Sequence, residues 1–468
     1  MLRRLLDSPR TYFALAALLA VIALASQFRI QGPSRPAGEI GEIAALRERK
    51  PNVVFVLIDT LRADRTSAYG YERPTTPVLE VLAERGLRFA RVEAQSSWTK
   101  TSMASLWTGL LPTHTGMLGF GQALPPEAVL PAEIFREAGY ATGGVWRNGW
   151  VDSLFGFGQG FDVYLRPSAS RAPRRFERRA PGPLVIKGTD EDATGAALEF
   201  LASHGHQPFF LYVHYMDVHQ YAYDQDSAEL GFGTSVSDAY DSAVHWVDRN
   251  VGALIARLEE RDLSRNTIVV VASDHGEALG ERGYEGHARN LYREVTGVPW
   301  IVALPFRLPR SVVVEQTVSN LDIWPTLLDL AGLPPLPDTD GRSLVPEIEA
   351  AARQEESGPG RPAFAYLERS WGTEGAPSRP TLSVRDGDRR LILSLSESEP
   401  QRVVELFDGA ADPAELDDLA EARPEWAGEL LPGLEATREL RPLWDQVPEV
   451  ELDELSRDML RALGYVVK

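Results

Sequence analysis

The 468-residue chain contains no cysteine. That absence excludes disulfides, a cysteine-ligated metal, a cysteine nucleophile and a lipid-modified N-terminal cysteine, and leaves the compartment open. Positive charge is also in deficit: 48 Lys and Arg against 67 Asp and Glu give a formal charge of −19. A nucleic-acid backbone is bound by a cationic face, so this balance argues against nucleic acid as a partner. Self-similarity at a solenoid period is absent as well. What is present, 44% hydrophobic and 25% charged residues, is enough to bury one large core or two.

The N-terminus carries an address. Arg3, Arg4 and Arg10 precede an uncharged run over residues 11–28, rich in Ala, Leu, Val and Ile. About 18 residues is near the lower limit for a helix that spans a bilayer. Positive charge ahead of the run predicts a cytoplasmic N-terminus, with the rest of the chain outside. Ala23-Leu24-Ala25 resembles a signal-peptidase site, so a cleaved leader and a secreted or periplasmic chain is the competing expectation. Residues 1–31 are read as signal anchor or signal peptide and 32–49 as a linker.

Short apolar runs at 52–58, 143–147, 208–216, 267–272 and 298–304 read as buried parallel strands. Helical patterns separate them. In 76–86, Thr76 stands at the N-cap, Pro77 opens the first turn and Gly86 follows the end. A longer amphipathic pattern covers 239–263. The expected fold is α/β, a mainly parallel central sheet sandwiched by helices, over 50–352. A basic stretch (Arg166, Arg171, Arg174, Arg175, Arg178, Arg179, Lys187) reads as a solvated surface insertion, with a lid as the alternative. After a Glu/Ser/Gly/Pro-rich linker at 353–362, residues 363–468 read as a small α+β subdomain. Its alternating segments at 381–384, 390–395 and 403–407 suit an antiparallel sheet, closed by a helix at 425–435. The acidic tail 449–458 suits a solvated helix.

Ligands gather at the carboxyl ends of strands in open α/β sheets. Asp59 follows the first strand, Asn148 the second, Asp217 and His219 the third, Asp274 and His275 the fourth. A strand-end Asp is often only a turn former, yet four polar strand ends imply one site. His219 and His287 are assigned polar roles there; His204, His206, His214 and His245 are read as structural. Thr99 precedes a helix over 100–106. It can cap that helix, and the positive end of the dipole also favours an alkoxide and an anionic substrate.

Asp59-Thr60-Leu61-Arg62-Ala63-Asp64-Arg65, Ala68-Tyr69-Gly70-Tyr71, Ser273 to Glu277, Gly286-His287 and Asp340-Gly341-Arg342 together resemble the sulfatase family of the alkaline phosphatase-like superfamily. The resemblance runs from about residue 50 to the end, and it implies a metal-dependent ester hydrolase or phosphotransferase. Thr99 falls where the family carries the Cys or Ser that is oxidised to formylglycine. Threonine cannot give that aldehyde, because oxidising its secondary carbinol yields a ketone. The family's Pro, Ser and Arg fall on Thr101, Ser102 and Met103, and Lys100 is the candidate replacement for the lost cation. Asp59-Thr60 and Asp274-His275 stand where sulfatases carry Asp-Asp and Asp-Asn.

These departures imply a divalent metal held by Asp59, Thr99, Asp274 and His275, with Zn²⁺ or Mn²⁺ favoured over Ca²⁺, and the Asp217–His219 spacing, unlike that of two-metal relatives, implies one ion rather than two. They further imply an anionic phosphate-type ester as substrate and a covalent intermediate on Thr99. His219 or His287 would protonate the leaving group, and Asn148 would contact a non-bridging oxygen. The alternatives are a sulfuric ester hydrolase working without formylglycine, and a non-catalytic binding protein that keeps the fold.

Overall fold

The run Asn-Val-Val-Phe-Val-Leu-Ile is apolar after its first residue, and all seven positions are buried. A strand achieves that only when both faces of its sheet are covered. The computed structural model describes residues 35–167, 176–177, 188–355, 358, 360–368, 380–395 and 402–451. Its main strands are β1 (Asn52–Ile58), β2 (Leu87–Glu93), β3 (Ala141–Val145), β4 (Val163–Leu165), β5 (Phe209–Tyr215), β6 (Thr267–Ala272), β7 (Trp300–Ala303) and β8 (Val312–Ser319). The nine-stranded sheet runs β2-β7-β6-β1-β5-β3-β4, with β8 and the two-residue strand Gly297–Val298 also pairing with β2.

The centre is parallel: β1 pairs with β5 and β6, and β3 with β5 and β4. The run at 298–304, expected to be parallel, is a correction. Its strand β7 lies antiparallel to both β6 and β2. An apolar run buried on both faces carries no sign of its direction, which the connection alone sets.

The helices that cover the sheet include α1 (Glu42–Arg49), α2 (Pro77–Glu84), α3 (Thr99–Thr108), α4 (Asp190–His204), α5 (Val236–Glu260) and α6 (Ile323–Ala331). Successive strand side chains point to opposite faces. Phe55, Leu57, Phe210 and Tyr212 therefore share one core with Trp107 of α3 and Trp324 of α6. Val54, Val56, Leu211 and Val213 share the other with α2, α4 and α5. Helix α1 lies inside the stretch read as linker and buries Ile43 and Leu46 in the first core. Thr76 precedes α2 but makes no side-chain cap bond. Asp248 of α5 accepts from the Val78 and Leu79 amides instead, at 2.8 and 3.0 Å, so a carboxylate from another helix satisfies the orphan donors.

Strands β9 (Ala363–Leu367), β10 (Thr381–Asp386), β11 (Arg389–Leu395) and β12 (Arg402–Asp408) form an antiparallel four-stranded sheet, and α7 (Pro424–Glu439) packs on it through Leu430 and Leu434. Buried Glu93, at the end of β2, ties the two sheets together. It accepts from Arg390 at 2.5 Å and Arg385 at 3.1 Å. Burial opposes ionisation, and the two guanidiniums still hold its carboxyl below the ordinary range. The apolar run at 11–28, the basic stretch apart from Arg166, and the acidic tail beyond Glu451 lie outside the described residues. Among the described residues no helix is long and apolar enough to cross a membrane.

Candidate metal and catalytic centre

Strands β1 and β6 are adjacent and parallel, so their carboxyl ends emerge about 4.8 Å apart, and Asp59 and Asp274 leave those ends side by side. Both are fully buried. Asp59 Oδ2 accepts from Asn148 Nδ2 at 2.6 Å and from His214 Nε2 at 3.1 Å. Its Oδ1 accepts nothing. Asp274 Oδ1 accepts from the Thr60 amide at 3.3 Å. Its Oδ2 accepts no hydrogen bond and lies 3.3 Å from His275 Nε2. Thr60 has φ +60°, a costly conformation for a β-branched residue. That turn aims its amide at Asp274, while the Tyr240 hydroxyl holds its carbonyl at 2.7 Å.

Helix α3 begins at Thr99, and all ten of its residues are buried. Thr99 Oγ1 lies 3.0 Å from His275 Nε2 and 3.4 Å from Asn148 Nδ2. The other ring nitrogen, His275 Nδ1, faces the Gly276 carbonyl at 2.9 Å. A carbonyl only accepts, so Nδ1 carries a proton, and the tautomer able to bind a metal presents its Nε2 lone pair toward Thr99. Ser102 Oγ donates to the Asp274 carbonyl at 2.6 Å, and Ser273 Oγ to the His275 carbonyl at 2.8 Å. Those bonds fix the loop against α3.

One ligand atom each from Asp59, Asp274 and His275 falls within 4.8 Å of the others. Two carboxylate oxygens without hydrogen bonds and an imidazole lone pair, all buried, fit a divalent cation. Burial penalises the Asp59 anion, but the His214 bond and the surrounding imidazoles hold its carboxyl below the ordinary range. Burial and then the Asp59 charge push Asp274 the other way, upward. Two acids forced apart in this way leave negative charge that a cation neutralises.

The remaining candidates divide. His287 Nδ1 meets Glu277 Oε2 at 2.6 Å, and Tyr221 donates to Glu277 Oε1 at 2.9 Å. The His287 ring lies 4.5 Å from that of His275 and 4.9 Å from that of His219. His219 and His287, 2% and 8% exposed, sit nearer solvent than the buried acids. Lys100 points elsewhere. Its amine donates to the Phe120 carbonyl at 2.6 Å and lies 3.8 Å from the Phe155 ring centroid, and burial pushes its pKa well down.

Asp217 is claimed by Arg147 at 2.6 Å, Trp246 Nε1 at 2.9 Å and the Asp190 amide at 3.1 Å. His214, read as structural, is fully buried with both ring nitrogens bonded, and one of its partners is Asp59. In the β1–β5 register His214 pairs with Leu57, which puts it on the α3 face. The pairing register carries that signal, and the strand alone does not. His204 and His245 do bond locally, to the Phe200 carbonyl and Ser227.

A family model described as Sulfatase matches residues 51–333. The chain belongs to the sulfatase family. A second model, N-sulphoglucosamine sulphohydrolase, C-terminal, matches residues 280–428. Steryl-sulfatase of Mus musculus is 27% identical over 461 residues, covering 74% of this chain and 71% of its own. Delta 4,5-hexuronate-2-O-sulfatase of Bacteroides thetaiotaomicron is 24% identical, covering 81% and 86%. Among solved structures, a 2-O GAG sulfatase superposes with TM-score 0.66 at 21% identity over 83% of this chain and 93% of that one. The phosphonate monoester hydrolase of Agrobacterium radiobacter gives 0.65 at 19%, over 86% and 100%. At these identities the structures establish the shared fold. Within this sulfatase-family hydrolase, the carboxylate pair and His275 stand at adjoining strand ends, and Thr99 faces them from α3.

Proposed function

We propose that this sulfatase-family enzyme cleaves or transfers a phosphate-type ester through a covalent intermediate on Thr99. The supporting observation is the 3.0 Å approach of Thr99 Oγ1 to His275 Nε2, beside two carboxylate oxygens that accept no hydrogen bond. A divalent ion held by Asp59, Asp274, His275 and Thr99, Zn²⁺ or Mn²⁺ by its donor set, would supply the positive charge that acidifies the hydroxyl and neutralises the ester. Thr99 loses its proton to water and its oxygen attacks phosphorus. The bond to the leaving oxygen breaks, and His287, oriented by Glu277, or His219 protonates it. Asn148 Nδ2 donates to a non-bridging oxygen. Water or an acceptor hydroxyl then displaces Thr99, returning a proton to the histidine.

A second reading, sulfuric ester hydrolysis without formylglycine, is supported by the sulfatase names of the relatives. Both readings share the site and differ in the transferred group. The same proposal has the catalytic domain outside the cytoplasm, membrane-anchored or released by signal cleavage, a reading supported by the positive charge ahead of residues 11–28.

The test is a metal assay of the purified chain, combined with mass spectrometry of Thr99 after incubation with 4-nitrophenyl phosphate, bis-4-nitrophenyl phosphate and 4-nitrophenyl sulfate. Turnover of a phosphate ester with a phosphoryl adduct on Thr99 supports the first reading. Turnover of the sulfate alone selects the second. Full activity in Thr99→Ala defeats both.

A further inference from the structure

On the sheet face opposite Thr99, between α2 and α5, lies a cavity of about 410 Å³. Val81, Leu82, Ile255 and Phe306 give it apolar walls, and Val81 is 62% exposed. The charged residues of the lining are Arg35, Arg85, Arg307 and Glu259, three cations against one acid. Arg35 is only 7% exposed, and its Nε and Nη2 are buried without a hydrogen-bond partner. Its carbonyl accepts from Arg307 Nε at 3.1 Å, which fixes the backbone and leaves the guanidinium. Arg85 donates to the Pro309 carbonyl at 2.7 Å. A buried guanidinium with unmade bonds is costly and calls for an acceptor.

We infer that this cavity binds an anionic phospholipid, with the phosphate on Arg35 and Arg307 and the acyl chain along Val81, Leu82, Ile255 and Phe306. An apolar pocket of this size with a few placed polar groups is a small-ligand site. Two further observations select a lipid. The inference rests on the membrane-anchor reading proposed above: the uncharged run 11–28 ends seven residues before Arg35, a spacing that would keep the cavity near a bilayer surface. Among residues 1–34 the single acid is Asp7, so the N-terminal segment has little with which to neutralise three arginines. Basic side chains beside a membrane segment attract anionic headgroups.

The test uses the full chain in phosphatidylcholine vesicles doped with phosphatidylglycerol carrying a diazirine in its acyl chain. After irradiation, label is mapped by peptide mass spectrometry. The expected result is label on the peptides containing Val81-Leu82 and Ile255, retained under excess inorganic phosphate. Arg35→Gln lowers it at least five-fold while label within residues 11–28 stays constant. Val81→Glu, at an exposed position that tolerates a charge, lowers it similarly and decides the matter if Arg35→Gln fails to fold. Three outcomes overturn the inference: label confined to 11–28, as when that segment itself fills the cavity; equal labelling from a diazirine phosphatidylcholine; or displacement by inorganic phosphate. Ester turnover is unaffected by either variant, so this failure is separable from failure of the catalytic reading.

Discussion

Two clusters of buried acids stand at neighbouring strand ends of one sheet and have opposite characters. Beyond β3 and β5, Asp190 and Asp217 close around Arg147, which also donates to the Gly188 carbonyl at 2.7 Å and to Gln220 at 3.0 Å. Beyond β1 and β6, Asp59 and Asp274 meet no arginine among the described residues, and each keeps an oxygen without a hydrogen bond. One cluster carries its cation in the sequence, and the other leaves room for one. Strand-end position makes an acid a candidate; the nearest fixed cation decides whether it is a ligand or a brace.

The largest effect expected from breaking this contrast is chemical. Thr99→Ala should cut turnover on the order of 10³-fold or more, while zinc or manganese content measured by atomic emission stays near that of the parent. A variant that loses metal and activity together would make Thr99 chiefly a ligand.

Next in size is stability. Arg147→Met strands two buried carboxylates and should cost about 3–5 kcal/mol in denaturant unfolding. Asp274→Asn should have the opposite sign in chelated protein, stabilising it by roughly 1 kcal/mol through loss of like-charge repulsion with Asp59. Equal destabilisation by both would erase the distinction between the clusters.

Metal addition should then stabilise the parent by about 2.7 kcal/mol at a free concentration 100 times Kd. Differential scanning calorimetry should show that shift surviving in Arg147→Met, once it folds, and vanishing in Asp274→Asn.

The smallest effect is pH dependence in the braced cluster. Burial, and then the Asp217 charge, push Asp190 up to about 6 from 3.8. The folded state therefore holds this proton more tightly than the unfolded chain. Its contribution to stability is complete below about pH 4 and is lost as pH rises through 6. Asp190→Asn should flatten the stability profile across that window; an unchanged slope would place the titration elsewhere.

Much of the site was legible before any coordinates. The runs at 52–58 and 267–272 coincide with β1 and β6 because continuous burial leaves an unbroken apolar signature. Their trailing Asp59, Asp274 and His275 do converge. His214 was missed because a histidine inside Phe-Phe-Leu-Tyr-Val-His-Tyr looks like core until Leu57 is known to lie beside it. Arg147 was missed because nothing local reveals that Asp190 and Asp217, far apart in the chain, share its guanidinium. Lys100 was singled out for its place beside Thr99, yet successive helix positions point about 100° apart, and its amine ends among aromatic rings.

By itself the sequence determined the central strands, the family and the residue types at the strand ends, because hydrophobic period and short motifs are local properties of a chain. Only the tertiary structure decided which acids are braced by an arginine, which imidazole reaches Asp59 and which way β7 runs. Each of those is set by strand order and register, which bring together residues with no periodic relation along the chain.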